Sequence, residues 1–264
     1  MIDIHCHVLY GVDDGAEDFI DSKEMLRIAA EGGITDVIAT PHCYPGMYDN
    51  FNGRTLTARF DSLNRRIGEI GSSVRVHSGM EVYADDDTLR RMDSGRLMTL
   101  AGSRYMLIEC AFNENPRFMT HVLRGLRERG VHPIIAHPER YYFINDRMDT
   151  ALEWVDMGCS LQLNAGSLTG YFGRESRESA YALLAMGAVQ FVASDAHGAI
   201  KRTPELIEAY EQVGVHTSFR CAELLFKDNP AHILADEALE FVDLDSEFVK
   251  YERFMSDEDY WNSL

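Results

Sequence analysis

Cysteine is sparse in this chain, which has five cysteines among its 264 residues. The cysteines are odd in number and form no CxxC pair, so neither a disulfide framework nor a zinc–thiolate site is indicated. Cysteine use of this kind is typical of proteins in a reducing compartment. The five positions are Cys6, Cys43, Cys110, Cys159 and Cys221.

Positive charge is also scarce. The chain has 25 lysines and arginines against 43 aspartates and glutamates, which gives a formal net charge of −18 at pH 7. Proteins that bind nucleic acid or anionic membrane surfaces need lysine and arginine, so this balance argues against both classes. The sequence shows no signal-peptide stretch and no apolar run of transmembrane length. We therefore expect a cytoplasmic protein that does not insert into a membrane.

The chain instead repeats one local pattern, in which a helical stretch ends at glycine and a short apolar strand ends in a polar residue. The apolar runs are rich in Val and Ile and too short for helices, as buried parallel strands are. Amphipathic helical patterns lie between them, and this alternation predicts parallel β/α units. The predicted strands lie within residues 1–7, 33–42, 74–83, 105–110, 130–137, 158–164 and 187–197.

Seven such units predict an α/β protein with a single domain, in which the strands close on themselves as a distorted (β/α)7 barrel. An open doubly wound sheet is the alternative. We assign residues 1–235 to the barrel. Residues 236–264 are acidic and apolar by turns, and we assign them to a C-terminal tail or helix of the same domain.

The first predicted strand ends in a His-x-His motif. Side chains at positions i and i+2 of a strand share a face, so His5 and His7 project together, as two nitrogen ligands of one metal would. The turn that follows carries Asp13 and Asp14, which bring carboxylates to the end of this strand. Either can supply a metal ligand, and we favour Asp14.

Most of the other predicted strands also end in a histidine or a carboxylate. In β/α barrels the active site is built at the C-terminal ends of the strands, so these side chains should meet at one rim. So many carboxylates would repel one another without cations between them, which predicts a site for several metal ions. Nitrogen and oxygen ligands suit manganese, iron or zinc. The candidate ligands are His5, His7, Asp14, His42, Glu81, Glu109, His137, Asp195 and His197.

Two arginines lie in the loops that follow predicted ligands. Arg140 comes three residues after His137, and Arg202 comes shortly after His197. The guanidinium group offers a planar fork of donors that matches phosphate oxygens, so the pair suggests a phosphate-bearing substrate. The alternative for each arginine is an ion pair with a neighbouring carboxylate.

Several short motifs stand at the predicted strand ends: MIDIHCH (1–7), VDDG (12–15), SRY (103–105) with Glu109, IAHPER (135–140) and ASDAH (193–197). Each alone would be weak, but the set is specific. With these motifs, residues 1–235 resemble the PHP superfamily, named for polymerase and histidinol phosphatase domains. Within it the chain resembles the manganese-dependent protein-tyrosine phosphatases of bacterial capsule and exopolysaccharide loci.

The resemblance implies the PHP fold, a distorted seven-stranded β/α barrel that holds three divalent metal ions. Manganese is the metal it implies, with iron or zinc as alternatives. Arg140 and Arg202 match positions that grip the phosphate, and with His42 and Asp14 they make up the implied catalytic set. Carried over by position, the ligands are His5, His7, Glu81 and Asp195 for the first metal, Glu81, Glu109 and His137 for the second, and Asp14, His42 and His197 for the third.

The implied activity is hydrolysis of phosphotyrosine in a protein, by a phosphoric monoester hydrolase. The implied partner is a bacterial tyrosine kinase that regulates capsule or exopolysaccharide synthesis, and a homo-oligomer is left open. The Cys-x5-Arg loop of cysteine-dependent phosphatases is absent, since no cysteine has an arginine six positions further on. The alternatives are a PHP-family small-molecule phosphoesterase such as histidinol-phosphate phosphatase, an amidohydrolase, and a metal-bound regulatory partner of the kinase.

Overall fold

Parallel strands alternate with helices along residues 1–241, the part of the chain that this computed structural model describes, apart from the side chain of Asp146. The strands are β1 (Ile2–Cys6), β2 (Asp36–Ala39), β3 (His42–Cys43), β4 (Arg75–Ser78), β5 (Glu81–Tyr83), β6 (Tyr105–Glu109), β7 (His132–Ala136), β8 (Ser160–Asn164) and β9 (Phe191–Ala193). The helices are α1 (Phe19–Glu31), α2 (Arg54–Glu69), α3 (Thr88–Asp93), α4 (Pro116–Glu128), α5 (Tyr142–Asp146), α6 (Asp149–Asp156), α7 (Ala165–Leu168), α8 (Arg174–Ala185), α9 (Ile207–His216), α10 (Phe219–Glu223) and α11 (Asn229–Ala235). Short 3-10 turns lie at Leu100–Gly102 and Pro138–Arg140, and a π-helical turn lies at Leu224–Asp228.

Two of the predicted strands are each broken into two. Pro41 separates β2 from β3, and because proline has no N–H to donate, the hydrogen-bond ladder stops there. Gly79 separates β4 from β5, and a Cβ at this position would lie 2.7 Å from Cγ2 of Ile38. Only glycine allows so close an approach. The strands form one sheet in the order β1-β2-β4 and a second in the order β3-β5-β6-β7-β8-β9.

The two sheets together form a ring. The broken strands pass from the first sheet into the second, and residues after β9 return to β1. The Asp195 N–H donates to the carbonyl oxygen of His5 at 2.8 Å, and the His7 N–H donates to that of Ala196 at 2.8 Å. Ser194 also donates its hydroxyl to Asp3 Oδ2 at 2.5 Å. The predicted distorted (β/α)7 barrel is therefore confirmed, in preference to an open doubly wound sheet.

Apolar side chains pack in two clusters, one between the strands and the helices and a smaller one on the strand faces that carry the site. Leu107 and Phe191 belong to the smaller cluster. Leu107 shares a face of β6 with Glu109, because alternate residues of a strand point the same way. On β8 the corresponding buried positions are polar and are occupied by Gln162 and Asn164, each 0% exposed.

The boundary at residue 235 agrees with the end of α11, and the assignment of domains stays a prediction. Beyond α11, Asp236 accepts a hydrogen bond from the side chain of Arg104, and the Tyr105 hydroxyl donates to the carbonyl oxygen of Glu237. Residues 242–264, which hold most of the predicted acidic tail, lie outside the described residues. Within residues 1–241, no helix combines the length and the hydrophobicity needed to cross a bilayer.

Asp36, at the amino end of β2, joins neighbouring strands far from the rim. Its carboxylate is 2% exposed and accepts hydrogen bonds from Arg75 at 2.7 and 2.8 Å, from His77 at 2.8 Å and from Thr35 at 2.9 Å. Burial alone raises the pKa of Asp36, but these hydrogen bonds hold it well below its usual range. A carboxyl group with a lowered pKa stabilises the fold above its unfolded-state pKa, and this stabilisation is lost as the pH falls through the folded-state pKa.

We therefore expect Asp36→Asn to lower the free energy of unfolding by about 1–3 kcal/mol at pH 7. The difference from the parent should begin to shrink as the pH falls below about 4, where Asp36 takes up a proton in the unfolded parent, and should vanish only at the lower pH at which the folded carboxylate is protonated. Urea unfolding at pH 7 and at pH 3 measures both. Asp93→Asn is the matched control, since Asp93 accepts the same two-pronged contact from Arg129 on an exposed surface, where little loss is expected. Equal losses in the two variants would contradict the argument.

Candidate metal centre

The rim at the C-terminal ends of the strands gathers all nine of the predicted ligands. His5 on β1, with His7 and Asp14 after it, supplies one side, and β5 and β6 supply Glu81 and Glu109. His137 and Asp195 come directly after β7 and shortly after β9, and both have left-handed backbones, with φ of 37° and 51°. This conformation is costly for non-glycine residues and is found mainly at functional sites.

Glu81 lies at the centre of this arrangement and is 0% exposed. Its Oε2 is 3.2 Å from Nε2 of His5, 3.2 Å from Nε2 of His7 and 3.0 Å from Nδ1 of His42. Its Oε1 is 3.1 Å from Nε2 of His137. Among the described residues Oε2 has no hydrogen-bond donor, and neither is His42 Nδ1 hydrogen-bonded. Buried polar atoms without partners are costly, so these lone pairs fit a site built around cations.

The described residues contain three groups whose ligand atoms lie close enough to hold a metal ion: His7, Asp14, His42 and His197; His5, His7 and Glu81; and His42, Glu81 and Glu109. They overlap the three sets implied by the resemblance without matching them one for one. His42 joins the group around Glu109, where the resemblance places His137. His137 Nε2 itself lies 3.7 Å from Glu109 Oε2. The overlaps describe a contiguous cluster in which His7, His42 and Glu81 are each shared between two groups.

Asp195 presents a different neighbour to each of its two oxygens. Oδ1 lies 3.3 Å from His5 Nε2 and 3.5 Å from His7 Nε2, on the side of the ligand cluster. Oδ2 accepts from Asn164 Nδ2 at 2.6 Å and lies 2.6 Å from an Nη2 of Arg202. One oxygen is therefore available to a metal while the other is held by the protein.

The two aspartates after the first strand differ in position. Asp14 is half-exposed, and its Oδ1 lies 3.5 Å from His42 Nε2 and 3.6 Å from His197 Nε2. Asp13 lies behind the ligands: its Oδ2 accepts from His7 Nδ1 at 2.8 Å and from the His42 backbone N–H at 2.9 Å. Asp13 thus orients His7. This role has no separate signal in the sequence pattern, since both aspartates occupy the same turn.

The two arginines approach Asp195 from the side opposite the histidines. Nη1 of Arg140 is 3.6 Å from Asp195 Oδ2. The Arg140 guanidinium lies over two aromatic rings, 4.7 Å from the centroid of Phe112 and 4.2 Å from that of Phe172. Arg202, whose backbone is left-handed with φ of 51°, lies 5.6 Å from the same Phe172 ring. Stacking of this kind fixes the plane of a guanidinium. Sequence reasoning did not single out either phenylalanine, because an aromatic residue in a loop looks like a packing residue.

A family model for capsular polysaccharide synthesis proteins, CpsB/CapC, matches residues 1–235. The chain belongs to this CpsB/CapC family. The tyrosine-protein phosphatase YwqE of Bacillus subtilis is 36% identical over 209 residues, which cover 79% of the chain and 82% of the relative. The tyrosine-protein phosphatase CpsB of Streptococcus pneumoniae is 30% identical over 244 residues, which cover 90% of the chain and 100% of the relative.

The chain is also similar to a solved structure from a study of YwqE from Bacillus subtilis and CpsB from Streptococcus pneumoniae. These two proteins are described as unique metal-dependent tyrosine phosphatases. The TM-score is 0.87 at 32% identity, with 92% of this chain and 97% of that chain covered. A histidinol phosphate phosphatase from Lactococcus lactis gives a TM-score of 0.55 at 14% identity, with coverage of 85% and 94%. The second likeness shows the fold alone.

The pKa values of the histidines in the site depend on burial and on the nearby charged groups. Burial lowers the pKa of His42, but Glu81 and Glu109 outweigh it and raise the pKa to about 10. Burial likewise lowers the pKa of His7, but its hydrogen bond to Asp13 and the nearby carboxylates of Asp195 and Glu81 outweigh burial and raise the pKa well above its usual range. The pKa of His197 falls to about 2, because burial and the nearby His7 both disfavour its charged form. Before metal binds, protons on His7 and His42 balance the buried carboxylates.

Metal affinity in the CpsB/CapC chain should consequently rise with pH. Because the pKa values of His7 and His42 are raised, both imidazoles are protonated at neutral pH, and a metal must displace those protons. We expect affinity to gain about tenfold per pH unit for each proton released. Titration calorimetry with Zn²⁺ at pH 6 and pH 8, in buffers that differ in ionisation enthalpy, counts the protons. Binding with no proton release would contradict the assigned charge states.

Proposed function

We infer that the chain is a metal-dependent protein-tyrosine phosphatase, a phosphoric monoester hydrolase that acts on phosphotyrosine in capsular polysaccharide synthesis. The observation that carries this function is the position of Glu81 Oε2, which lies within 3.2 Å of three imidazole nitrogens, in a cluster whose Asp195 is contacted by two arginines. The family and its relatives favour this reading over histidinol-phosphate hydrolysis and over amide hydrolysis. They also favour an enzyme over a regulatory partner with little activity.

We propose that the cluster holds three divalent ions, with manganese as the expected metal and iron or zinc as alternatives. The proposed ligands are those predicted from the sequence, with Asp14, His42 and His197 on the exposed side and the buried Glu81 between the other two sites. Such metals supply a nucleophile at neutral pH and polarise phosphoryl oxygens. All other steps in the reaction depend on how the side chains of this chain hold the substrate.

The proposed role of Arg140 and Arg202 is to bind and orient the phosphoryl group. Both guanidiniums lie beside Asp195, at the edge of the ligand cluster, and Arg202 forms an ion pair with it at 2.6 Å. Planar donors offer phosphate two parallel hydrogen bonds and balance charge that develops in the transition state. Because Phe112 and Phe172 both pack against the Arg140 guanidinium, little side-chain freedom is lost when the substrate binds.

The leaving group of a phosphotyrosine is a phenolate, whose conjugate acid has a pKa of about 10. It needs less protonation than an aliphatic alkoxide, so the site can act without a strong general acid. Aromatic rings at the rim fit a phenyl substrate: the Tyr48 ring stacks on His42 with centroids 5.8 Å apart, and the Phe112 ring meets His137 edge-on at 6.0 Å.

The substrate that we propose is a phosphotyrosine of a bacterial tyrosine kinase that regulates capsule or exopolysaccharide synthesis. The support is the family of capsule proteins to which the chain belongs and the acidic surface, which needs a local positive site for phosphate. A homo-oligomer stays a prediction.

The test is hydrolysis of a phosphotyrosine peptide and of histidinol phosphate by metal-stripped protein to which Mn²⁺, Zn²⁺, Fe²⁺ or Mg²⁺ is added back. We expect turnover that depends on added metal, is greatest with Mn²⁺, and is at least about tenfold faster on the peptide, as kcat/KM. Metal-dependent turnover confined to histidinol phosphate would overturn the proposed substrate. A lack of turnover on both compounds, with metals bound, would overturn the phosphatase function itself.

A further inference from the structure

Two buried amide side chains of β8 connect two candidate metal ligands that are distant in the sequence. Nδ1 of His5 lies 2.8 Å from Oε1 of Gln162. Nε2 of Gln162 donates to Oδ1 of Asn164 at 2.9 Å, and Nδ2 of Asn164 donates to Oδ2 of Asp195 at 2.6 Å. All four side chains are at most 2% exposed. The result is an unbroken chain of three hydrogen bonds from one ligand to the other, which we call the amide relay.

The charge of Asp195 sets the direction of every bond in the amide relay. An ionised carboxylate only accepts hydrogen bonds, so Asn164 must present its NH₂ group to Asp195 and its oxygen to Gln162. Gln162 must then donate its own NH₂ group to Asn164, which leaves its oxygen facing His5. That oxygen is an acceptor, so Nδ1 of His5 must carry a proton. Flipping either amide would place two oxygens or two donors against each other.

These directions determine which atoms face the metal cluster. With the proton on Nδ1, the lone pair of His5 is on Nε2, which lies 3.2 Å from Oε2 of Glu81 and 3.3 Å from Oδ1 of Asp195. With Oδ2 of Asp195 held by Asn164, Oδ1 is the oxygen turned toward His5 and His7. His5 Nε2 at one end of the amide relay and Asp195 Oδ1 at the other thus both direct a lone pair toward the ligand cluster.

We propose that Gln162 and Asn164 are positioning residues of the metal centre, which fix the tautomer of His5 and the orientation of Asp195 through the amide relay. The inference rests on the metal centre proposed above. Packing alone does not explain these two residues, since Leu107 and Phe191 fill the equivalent faces of β6 and β9. A buried amide is costly unless its hydrogen bonds are made, whereas partners that orient metal ligands raise affinity.

The experiment measures the Zn²⁺ affinity of the full chain by competition with a chelator. Gln162→Leu leaves the Nδ1 proton of His5 without an acceptor and Asn164 without its donor. We expect this variant to bind at least one equivalent of Zn²⁺ about 10- to 100-fold more weakly than the parent. Gln162→Glu restores an acceptor for His5, and its second oxygen can donate to Asn164 when the carboxyl is protonated. This variant should therefore bind Zn²⁺ more tightly than Gln162→Leu.

Gln190→Leu is the matched control. Gln190 is 1% exposed and accepts from the Leu161 backbone N–H at 2.9 Å, so its loss disturbs the same strand without reaching the metal ligands. We expect Gln190→Leu to lower the unfolding temperature and to leave Zn²⁺ affinity within about twofold of the parent. Equal loss of affinity in Gln162→Leu and Gln190→Leu would overturn the proposal, and so would parental affinity in Gln162→Leu.

A second readout keeps the test independent of stability. In Zn²⁺-loaded protein with ¹⁵N-labelled histidine, we expect His5 to show a protonated Nδ1 and a metal-bound Nε2, with slow exchange of the Nδ1 proton. Gln162→Glu should keep that slow exchange, while Gln162→Leu should lose it. Binding of Zn²⁺ through Nδ1 of His5 in the parent would overturn the amide relay but leave the metal centre standing. Failure of the parent to bind Zn²⁺ at all would overturn both.

Discussion

Glu81→Gln is expected to abolish most turnover of the phosphotyrosine peptide and to release bound metal. The substitution keeps the size of the side chain but removes the charge that four histidines share at 3.0–3.2 Å. Burial raises the pKa of Glu81, but His5, His42 and His137 outweigh it and hold the pKa well below its usual range, so the native side chain is ionised. Because metal chemistry is worth several kcal/mol, we expect kcat/KM to fall about 10³-fold.

The measurement combines peptide turnover with the metal content of the purified variant by mass spectrometry. Glu139→Gln is the matched control, since Glu139 is also 0% exposed and lies between His137 and Arg140. Burial raises the pKa of Glu139, and its Oε1 accepts from the Ser167 hydroxyl and the Asn164 N–H, so a neutral amide replaces it closely. We expect Glu139→Gln to retain its metals. If Glu81→Gln retained its bound metals as well as its turnover, Glu81 would not be the shared ligand.

Arg140→Ala is expected to lower kcat/KM for the phosphotyrosine peptide by about 10²- to 10³-fold, the usual effect of removing one donor to a developing charge. Metal content should not change, because Arg140 lies 3.6 Å from Asp195 Oδ2 and touches no other candidate ligand. Arg140→Lys keeps the positive charge but loses the planar fork and its stacking on Phe112 and Phe172, so we expect it to recover only part of the activity.

The roles of the two arginines can therefore be distinguished by comparing metal content and turnover in their alanine variants. Arg202 contacts Asp195 at 2.6 Å, so Arg202→Ala should lose metal as well as turnover, while Arg140→Ala should lose turnover alone. Arg124→Ala, at an exposed position of α4, serves as the control for the loss of a positive charge from an acidic protein. Full activity in Arg140→Ala would remove this residue from phosphate binding. Loss of metal in that variant would assign it a structural role instead.

Much of the fold and the candidate site could be predicted from the sequence because the C-terminal ends of the strands can be recognised in it. A parallel strand needs a short Val- and Ile-rich run, and its C-terminal end falls where that run stops. His5, Glu109 and Asp195 all follow such runs, so the topology alone brings them to one rim. The proposed division of the nine candidate ligands into three sites does not follow from the strand pattern, because His42 lies near both Glu109 and Asp14.

Other features could not be read from the pattern. The breaks at Pro41 and Gly79 divide two predicted strands between two sheets, and only the neighbouring Ile38 shows why Gly79 has no side chain. The left-handed backbone of His137 and Asp195 has no marker in a sequence without glycine at those positions. The amide relay was also missed, since Asn164 reads as a neutral strand end until β1, β8 and β9 meet around it.

The seam of the barrel passes through the metal centre. Asp3 and Ser194, 191 residues apart, meet there by hydrogen bonds, and His5 and Asp195 stand directly above them. A cation held by both His5 and Asp195 closes a loop of nearly the whole described chain, and closure of a long loop restricts the unfolded state most. The metal would then stabilise the closure of the strand ring as well as take part in catalysis.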